Sequence, residues 1–301
     1  MNLIWLEDFL ALAPTGNFSR AAEERHSSQP AFSRRIRALE AWVGAELFDR
    51  STQPARLTEV GEWFLEVAQD LLARVSRVPG DAKRLADASS VTLRLASTHA
   101  LSFTFLPRWL RGLEATAALE SVQLMSDVLQ RCETLMQEGK AQFVLSHAHA
   151  QAPGALDADT YLAIQVGDDE LIPVCSPNEQ GDARHILGAE ASVPLLHYSE
   201  ESGLGRIIRS VFDRRLAAAP TVFTAHAASV LRTMALDGRG VAWLPRTLVE
   251  DDLEARRLLP AGGKEWSVPV AIKLYREREL SGKAAEALWQ AVTTQQTSAT
   301  N

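Results

Sequence analysis

Up to about residue 90 the apolar positions recur with a helical period. Ile4, Leu6, Phe9, Leu10, Leu12 and Ala13 predict a first helix, ended by Pro14 and Gly16. Asn17 caps a short second helix through Ser19, Ala21 and Ala22 to about Arg25, and the small Ala21–Ala22 pair suits close approach of another helix. A third helix, Ser28–Val43, has Ser28 as N-cap and Pro30 in its first turn. Phe32, Ile36 and Leu39 form its apolar stripe at i, i+4 and i+7. Beyond Gly44, Glu46–Arg50 and Ala55–Thr58 flank Ser51–Pro54 and read as a two-stranded hairpin. A long helix follows, capped by Thr58, with Glu59 and Glu62 near its positive end. Its stripe of Leu57, Val60, Phe64, Val67, Leu71 and Val78, with Val75 near the seam, predicts packing on a partner copy. Pro79-Gly80 should end or kink it, and Asp81–Ser90 reads as a short polar helix and hinge.

From Val91 the grammar changes to strands alternating with helices. Strands are expected at Val91–Ala96, Val122–Met125 and Gln142–Ser146, with helices at Ser102–Leu113 and Val128–Gln137. The pattern recurs at Glu170–Cys175, Leu195–Tyr198, Ser202–Leu216, Thr221–Thr224, Ala227–Leu236 and Gly240–Leu244, then Val268–Tyr275 and Ser281–Val292. Such alternation predicts a mainly parallel sheet with helices on its faces. Thr293–Asn301 is polar without periodicity, and disorder is expected there.

Bulk numbers narrow the function classes. A chain of 301 residues exceeds the usual single core, so two or three domains are expected. A net charge of −7 excludes a protein coated in basic surface. It leaves room for a local patch: Arg20, Arg25, Arg34, Arg35 and Arg37 face only Glu23 and Glu24. Cys132 and Cys175 make neither a disulfide framework nor a metal quartet and read as two unrelated buried thiols. With no long apolar stretch and no signal-like start, a soluble cytoplasmic protein without a membrane partner is expected.

The third helix has chemistry on its polar side. Gln and Arg read base edges bidentately, and a helix fits the major groove of double-stranded DNA. Periodicity alone leaves a helix-turn-helix even with a plain three-helix bundle. The hairpin decides between them, because its stems carry Arg50 and Arg56 and its tip offers Gln53, the form of a wing that grips phosphate.

Phe18-Ser-Arg-Ala-Ala22, Ser28-Gln-Pro-Ala-Phe-Ser-Arg-Arg-Ile-Arg-Ala-Leu-Glu40, Glu46-Leu-Phe-x-Arg50 and Leu57-Thr-x-x-Gly61, in this order and spacing, resemble the LysR-type transcriptional regulators. The resemblance implies that Gln29, Pro30, Ser33 and Arg34 face bases, while Arg35, Arg37, Arg50 and Arg56 mostly meet phosphate. It also implies a linker helix that dimerises, hence a homodimer or homotetramer. Arg25 and Ser27 depart from the family pattern, which has apolar residues there. The expected organisation is a winged helix-turn-helix domain (1–58), a linker helix and hinge (59–90), a two-lobed α/β effector domain like a periplasmic binding protein (91–292), and a disordered tail (293–301). Lobe I would take about 91–160 and 268–292 and lobe II about 161–267, with crossings near Ala148–Thr160 and Pro260–Val268. Ala235–Pro245 resembles the family's helix–turn–strand before the second crossing, and Gly139-Lys-Ala-Gln142 has Gln where the family has Asp.

Ligands of open α/β sheets sit beyond the carboxyl ends of the strands. His99, His147, His149, His197 and His226, five of the seven histidines, follow predicted strand ends, accompanied by Ser97, Thr98, Ser102, Ser146, Tyr198 and Ser199. These residues suit a small polar or anionic effector. A metal is the sharper alternative, but no ligand-spaced Cys or carboxylate accompanies them; neither metal nor other cofactor is expected. His99-Ala-Leu-Ser102, Pro194-Leu-Leu-His-Tyr-Ser199 and Ala235–Pro245 further resemble the family's hypochlorite-responsive branch. That suggests an oxidant signal acting by methionine oxidation, although Met125, Met136 and Met234 fall where core packing is expected. A solute-binding transport protein would share the two lobes but has no use for Ser27–Thr58. An enzyme is the third alternative, and the chain shows neither a Gly-rich phosphate loop before a helix nor a nucleophile elbow.

Overall fold

The computed structural model describes residues 2–86, 92–113, 121–188, 192–216, 219–279 and 282–299. Two compact units divide the chain after Asp81. In the first, α1 (Leu3–Leu12), α2 (Phe18–Glu24) and α3 (Gln29–Val43) precede a hairpin of β1 (Phe48–Asp49) and β2 (Arg56–Leu57). Asn2 and Asn17 cap α1 and α2 through their side-chain oxygens, whereas Ser28 takes the extended backbone of a cap without a side-chain bond. Phe9, Phe32, Ile36, Leu39 and Phe48 are fully or almost fully buried in one core, each burial contributing roughly 1.5–3 kcal/mol. Edge-on contacts of Phe9 with Phe64 and of Phe18 with Phe32 interlock that core.

The long helix α4 (Glu59–Ala86) runs on through Pro79 and Gly80 instead of ending there. One missing bond, to the Val75 carbonyl, does not terminate a helix of 28 residues. Of the short polar helix and hinge expected at Asp81–Ser90, residues 81–86 continue α4, and 87–90 lie outside the described residues. Part of the apolar stripe is also used differently from the expectation. Phe64 is buried in the winged domain's own core, and Val67 and Leu71 pack against it. Val60, Trp63, Val75 and Val78 stay exposed.

In the second unit, β3 (Thr92–Thr98) leads into α5 (His99–Thr104) and α6 (Leu106–Leu113). One helix was expected at Ser102–Leu113. There are two, because Pro107 belongs to the first turn of α6, where its missing N–H costs nothing. Next come β4 (Ser121–Asp127), α7 (Leu129–Gln137), β5 (Phe143–Ala148) and a 15-residue strand, β6 (Tyr161–Cys175). The chain continues through β7 (Leu195–Tyr198), α8 (Gly203–Leu216), β8 (Thr221–Ala225), α9 (Ala228–Leu236), β9 (Ala242–Pro245), α10 (Arg246–Glu254) and β10 (Leu259–Pro260). It closes with β11 (Val268–Glu277) and α11 (Lys283–Ala299).

The main sheet is mixed, not mainly parallel. Its order is β10-β6-β11-β5-β3-β4, with β9 also on β6. Among the described residues only β5-β3-β4 pair in parallel there. β11 returns from the second lobe antiparallel to both β5 and β6, with a bulge between Ile272 and Lys273. The first half of β6 therefore lies in lobe I beside β11, and its second half pairs β9 and β10 in lobe II. The chain crosses inside this strand, later than the stretch expected at Ala148–Thr160. Lobe II adds the parallel pair β7-β8. Helix α11 continues through Thr293 and Thr294, where disorder was expected, and both hydroxyls donate to carbonyls one turn back.

Candidate DNA interface and effector cleft

The polar side of α3 begins as the sequence arranges it, with Gln29, Pro30, Arg34 and Arg37 exposed and Phe32, Ile36 and Leu39 buried. An open groove of about 660 Å³ separates α3 from the hairpin, lined by Gln29, Ser33, Arg37, Arg50 and Gln53 together with Asn17, Ser19, Arg20 and Thr52. The last four were not anticipated: Asn17, Ser19 and Arg20 face the groove because α2 packs across α3, which no local pattern reveals, and Thr52 faces it from the hairpin loop.

Gly16 holds the hairpin to the α1–α2 turn. Its carbonyl accepts from the Ala55 N–H at 3.1 Å. Its φ is +59°, and a Cβ would lie 1.9 Å from the Ala55 carbonyl oxygen. Gly16→Ala is therefore expected to cost at least about 1 kcal/mol and to loosen the wing. Thermal denaturation with a parallel DNA titration checks this, and an unchanged midpoint would refute the pinning role.

Two arginines expected at phosphate are engaged internally. Arg35 pairs through Nε with Asp8, which is fully buried, and donates through Nη2 to Ser27 Oγ at 3.0 Å. Arg25 pairs with the same Asp8 at 3.2 Å and with Glu7. The two departures from the family pattern thus join one network: Arg25 pairs with the buried Asp8, and Ser27 accepts from the Arg35 that pairs with the same carboxylate. Arg50 pairs with Glu40 and lies over the Phe18 ring. Glu40 also accepts from the Leu47 and Phe48 N–H groups, so Arg50 and Glu40 tie the wing to α3. Among the described residues no ion pair is recorded for Arg34 or Arg37, and Arg56 lies near Asp49.

In the α/β unit, the lobes meet at a small, partly open cavity of about 30 Å³. Thr98, His99 and His147 line it from lobe I, and His226 from lobe II. The rings of His99 and His226 are 5.8 Å apart across the cleft, and His99 Nδ1 is 3.1 Å from Ser126 Oγ. Asp127 and Ser202 complete the polar lining. The first residues of α7, α8 and α9 also border this space, directing helix N-termini toward it. Thr98 Oγ1 is buried with no hydrogen-bond partner. The lobes approach closely here, since a Cβ on Gly203 would lie 2.9 Å from the Leu129 Cβ. At one side, Arg206 of α8 reaches Glu133 of α7 at 3.8 Å.

The other residues expected to hold an effector lie elsewhere. His197 and Tyr198 line a separate recess of about 10 Å³ with Arg209 and Trp243. Tyr198 donates its hydroxyl to the Trp243 carbonyl at 2.9 Å, and burial raises its pKa. Burial, then the Arg209 charge, lower the His197 pKa. Ser199 presents its carbonyl to Arg209. Ser97 and Ser102 both donate to the Thr98 carbonyl, Ser146 is buried beside Tyr275, and His149 Nδ1 accepts from the Gln151 N–H. A strand end predicts proximity to the cleft but not the face on which a side chain emerges.

Burial pushes the Cys132 thiol up to about 12, which leaves it unreactive; Cys175 is buried and free. Met136 is buried, and Met125 and Met234 pack against the cores. Among the described residues, no group of three or more His, Cys, Asp or Glu is placed to hold a metal ion, and no helix is long and apolar enough to cross a membrane.

Comparison with known proteins matches residues 3–62 to the bacterial regulatory helix-turn-helix protein, lysR family, and residues 86–297 to the LysR substrate binding domain. The HTH-type transcriptional regulator YjiE of Escherichia coli K12 is 33% identical over 290 residues, 95% of this chain and 92% of the relative. The full-length structure of HypT from Salmonella typhimurium, described as a hypochlorite-specific LysR-type transcriptional regulator, superposes with a TM-score of 0.59 at 30% identity, covering 99% of both chains. DarR of Vibrio fischeri, solved in complex with DNA, gives 0.57 at 28% identity over 97% of this chain and 98% of its own.

Proposed function

Because the chain belongs to the LysR family of DNA-binding transcriptional regulators, we propose that it reads its operator with α3 and responds to a small anion held between the lobes of its effector domain. In this reading Gln29, Pro30, Ser33 and Arg34 meet base edges, while Arg37, Arg56 and Gln53 meet the backbone. Exposed Val60, Trp63, Val75 and Val78 on α4 provide the surface for a second copy, which sets two half-sites on one face of the DNA.

One observation carries the effector half. Three imidazoles, one orphaned hydroxyl and three helix N-termini, drawn from both lobes, converge on a single cavity. All are donors or charge-compatible with an anion, and a cavity of about 30 Å³ holds an ion of monoatomic size as it stands. Binding there would draw His99 and His226 together and bias the angle between the lobes.

Gel-shift titration on DNA from upstream of its own gene tests this reading, with sodium bromide or sodium formate added at constant ionic strength. Specific retardation is expected, changed at least about twofold by one of these anions and not so changed in His226→Ala. Absence of a specific complex would overturn the operator assignment, and an anion effect identical in His226→Ala would overturn the effector site.

A second reading, a response to hypochlorite, is supported by similarity to HypT. It predicts an oxygen-adduct mass on a methionine and a shifted DNA affinity after stoichiometric oxidant. Packing of all three described methionines against the cores argues against methionine as the fast target.

A further inference from the structure

We infer that anion binding in this cleft is coupled to proton uptake on His147, and that Asp169 is the positioning residue that makes the coupling possible. This rests on the small-anion reading above and adds how the site is regulated.

Asp169 lies on β6 where the strand leaves lobe I for lobe II, and its side chain is fully buried. Its Oδ1 accepts from the Glu170 N–H at 2.8 Å and the Thr247 N–H at 3.3 Å. Its Oδ2 accepts from the Thr247 hydroxyl at 2.6 Å and faces His147 Nε2 at 3.2 Å. Four partners use the acceptor capacity of a carboxylate. Burial pushes this carboxyl upward, but the hydrogen bond and charge of His147, then Thr247 and the Glu170 N–H, hold it below its ordinary range. An ionised Asp169 only accepts, so Nε2 of His147 carries a proton whether the ring is neutral or charged. A charged ring therefore differs from a neutral one by a proton on Nδ1.

That assignment gives the cavity two states. Neutral His147 brings an uncharged ring to the cavity wall; protonated His147 brings a positive charge there. The other charged groups around the cleft are His99 on α5, His226 after β8, Asp127 at the end of β4, Glu201 near His226, and the Glu133–Arg206 pair. Two positive rings 5.8 Å apart, His99 and His226, repel unless an anion accompanies them. Asp127 alone opposes an anion from the cavity wall, and its Oδ1 is already occupied by the Val128 N–H. Proton and anion therefore favour each other, and affinity rises as pH falls. Because Asp169 also holds Thr247, at the start of α10, the same carboxylate joins the histidine to lobe II.

The experiment is titration of the full-length protein with sodium bromide between pH 8 and pH 6 at constant ionic strength, followed by carbon-13 NMR of labelled histidines. The wild type is expected to bind about tenfold tighter at pH 6 than at pH 8, with the protonation midpoint of His147 raised by bromide. Asp169→Asn, which removes the counter-charge, should flatten that dependence to less than twofold. His147→Gln, which keeps a donor but cannot titrate, should do the same, so a folding defect in one variant does not decide the matter. Bromide binding independent of pH in the wild type would overturn the coupling and leave the anion reading standing. A pH dependence retained in either folded variant would overturn the role of that residue. Failure of bromide to bind at any pH would overturn both readings.

Discussion

A variant in which Arg25 and Arg35 are both alanine is expected to lose about 3–5 kcal/mol of stability in the winged domain, because a fully buried carboxylate, Asp8, loses both cationic partners. Each arginine is partly exposed, so the single variants should cost much less: the remaining guanidinium still faces Asp8. Adding Asp8→Asn to the double variant should recover part of the loss, since a neutral amide is far cheaper to bury than an unpaired charge. Hydrogen exchange of peptides spanning Leu3–Val43 in the full-length protein reads the effect locally. Additive small losses in the two single variants, with nothing further in the double, would show that the network does not share one buried charge. The network also explains how the chain tolerates polar residues at positions 25 and 27. They partner Asp8 and Arg35, and the replacement for apolar packing is electrostatic.

Arg34→Ala should weaken binding to the operator by about 1–3 kcal/mol while leaving non-specific DNA affinity nearly unchanged, because a bidentate base contact carries sequence information. Arg37→Ala should weaken both classes of DNA similarly and reduce the salt slope by about one unit, as loss of a phosphate contact does. Competition gel shifts against random-sequence DNA at several salt concentrations separate these outcomes. If the two variants lost the same affinity on both kinds of DNA, the division of roles on α3 would be wrong. Arg50→Ala belongs to neither class. Its partner Glu40 also receives the Leu47 and Phe48 N–H groups, so its loss acts through the wing's attachment and appears in stability as well as affinity.

Much of the winged domain was legible locally because its elements are short and close in sequence. The caps at Asn17 and Ser28, the stripe of Phe32, Ile36 and Leu39, and the paired hairpin stems are all read within a few residues of one another. The long helix shows where that reading stops. Its apolar stripe is real, but a stripe does not say what covers it, and Phe64 turns inward to its own domain while Trp63 beside it stays exposed. Pro79 predicts an end or a kink, but one absent hydrogen bond is a small part of a helix this long.

In the effector domain, alternation of strand and helix revealed the class of fold, and the histidines after strand ends pointed toward the cleft. The strand directions, the length of β6, and the choice of His99, His147 and His226 over His149 and His197 depended on pairings between distant segments. Asp169 carries no local signal at all, being one acidic residue in Asp168-Asp169-Glu170.

Family membership, the polar face of α3 and the two-part organisation follow from spacing and residue chemistry alone, since helical period, capping and turn formation are short-range. Which charges are buried, which arginines are spent on internal partners, and which imidazoles share a cavity follow from long-range packing. There the cost of leaving a polar group unpaired is decided by neighbours that can be a hundred residues away.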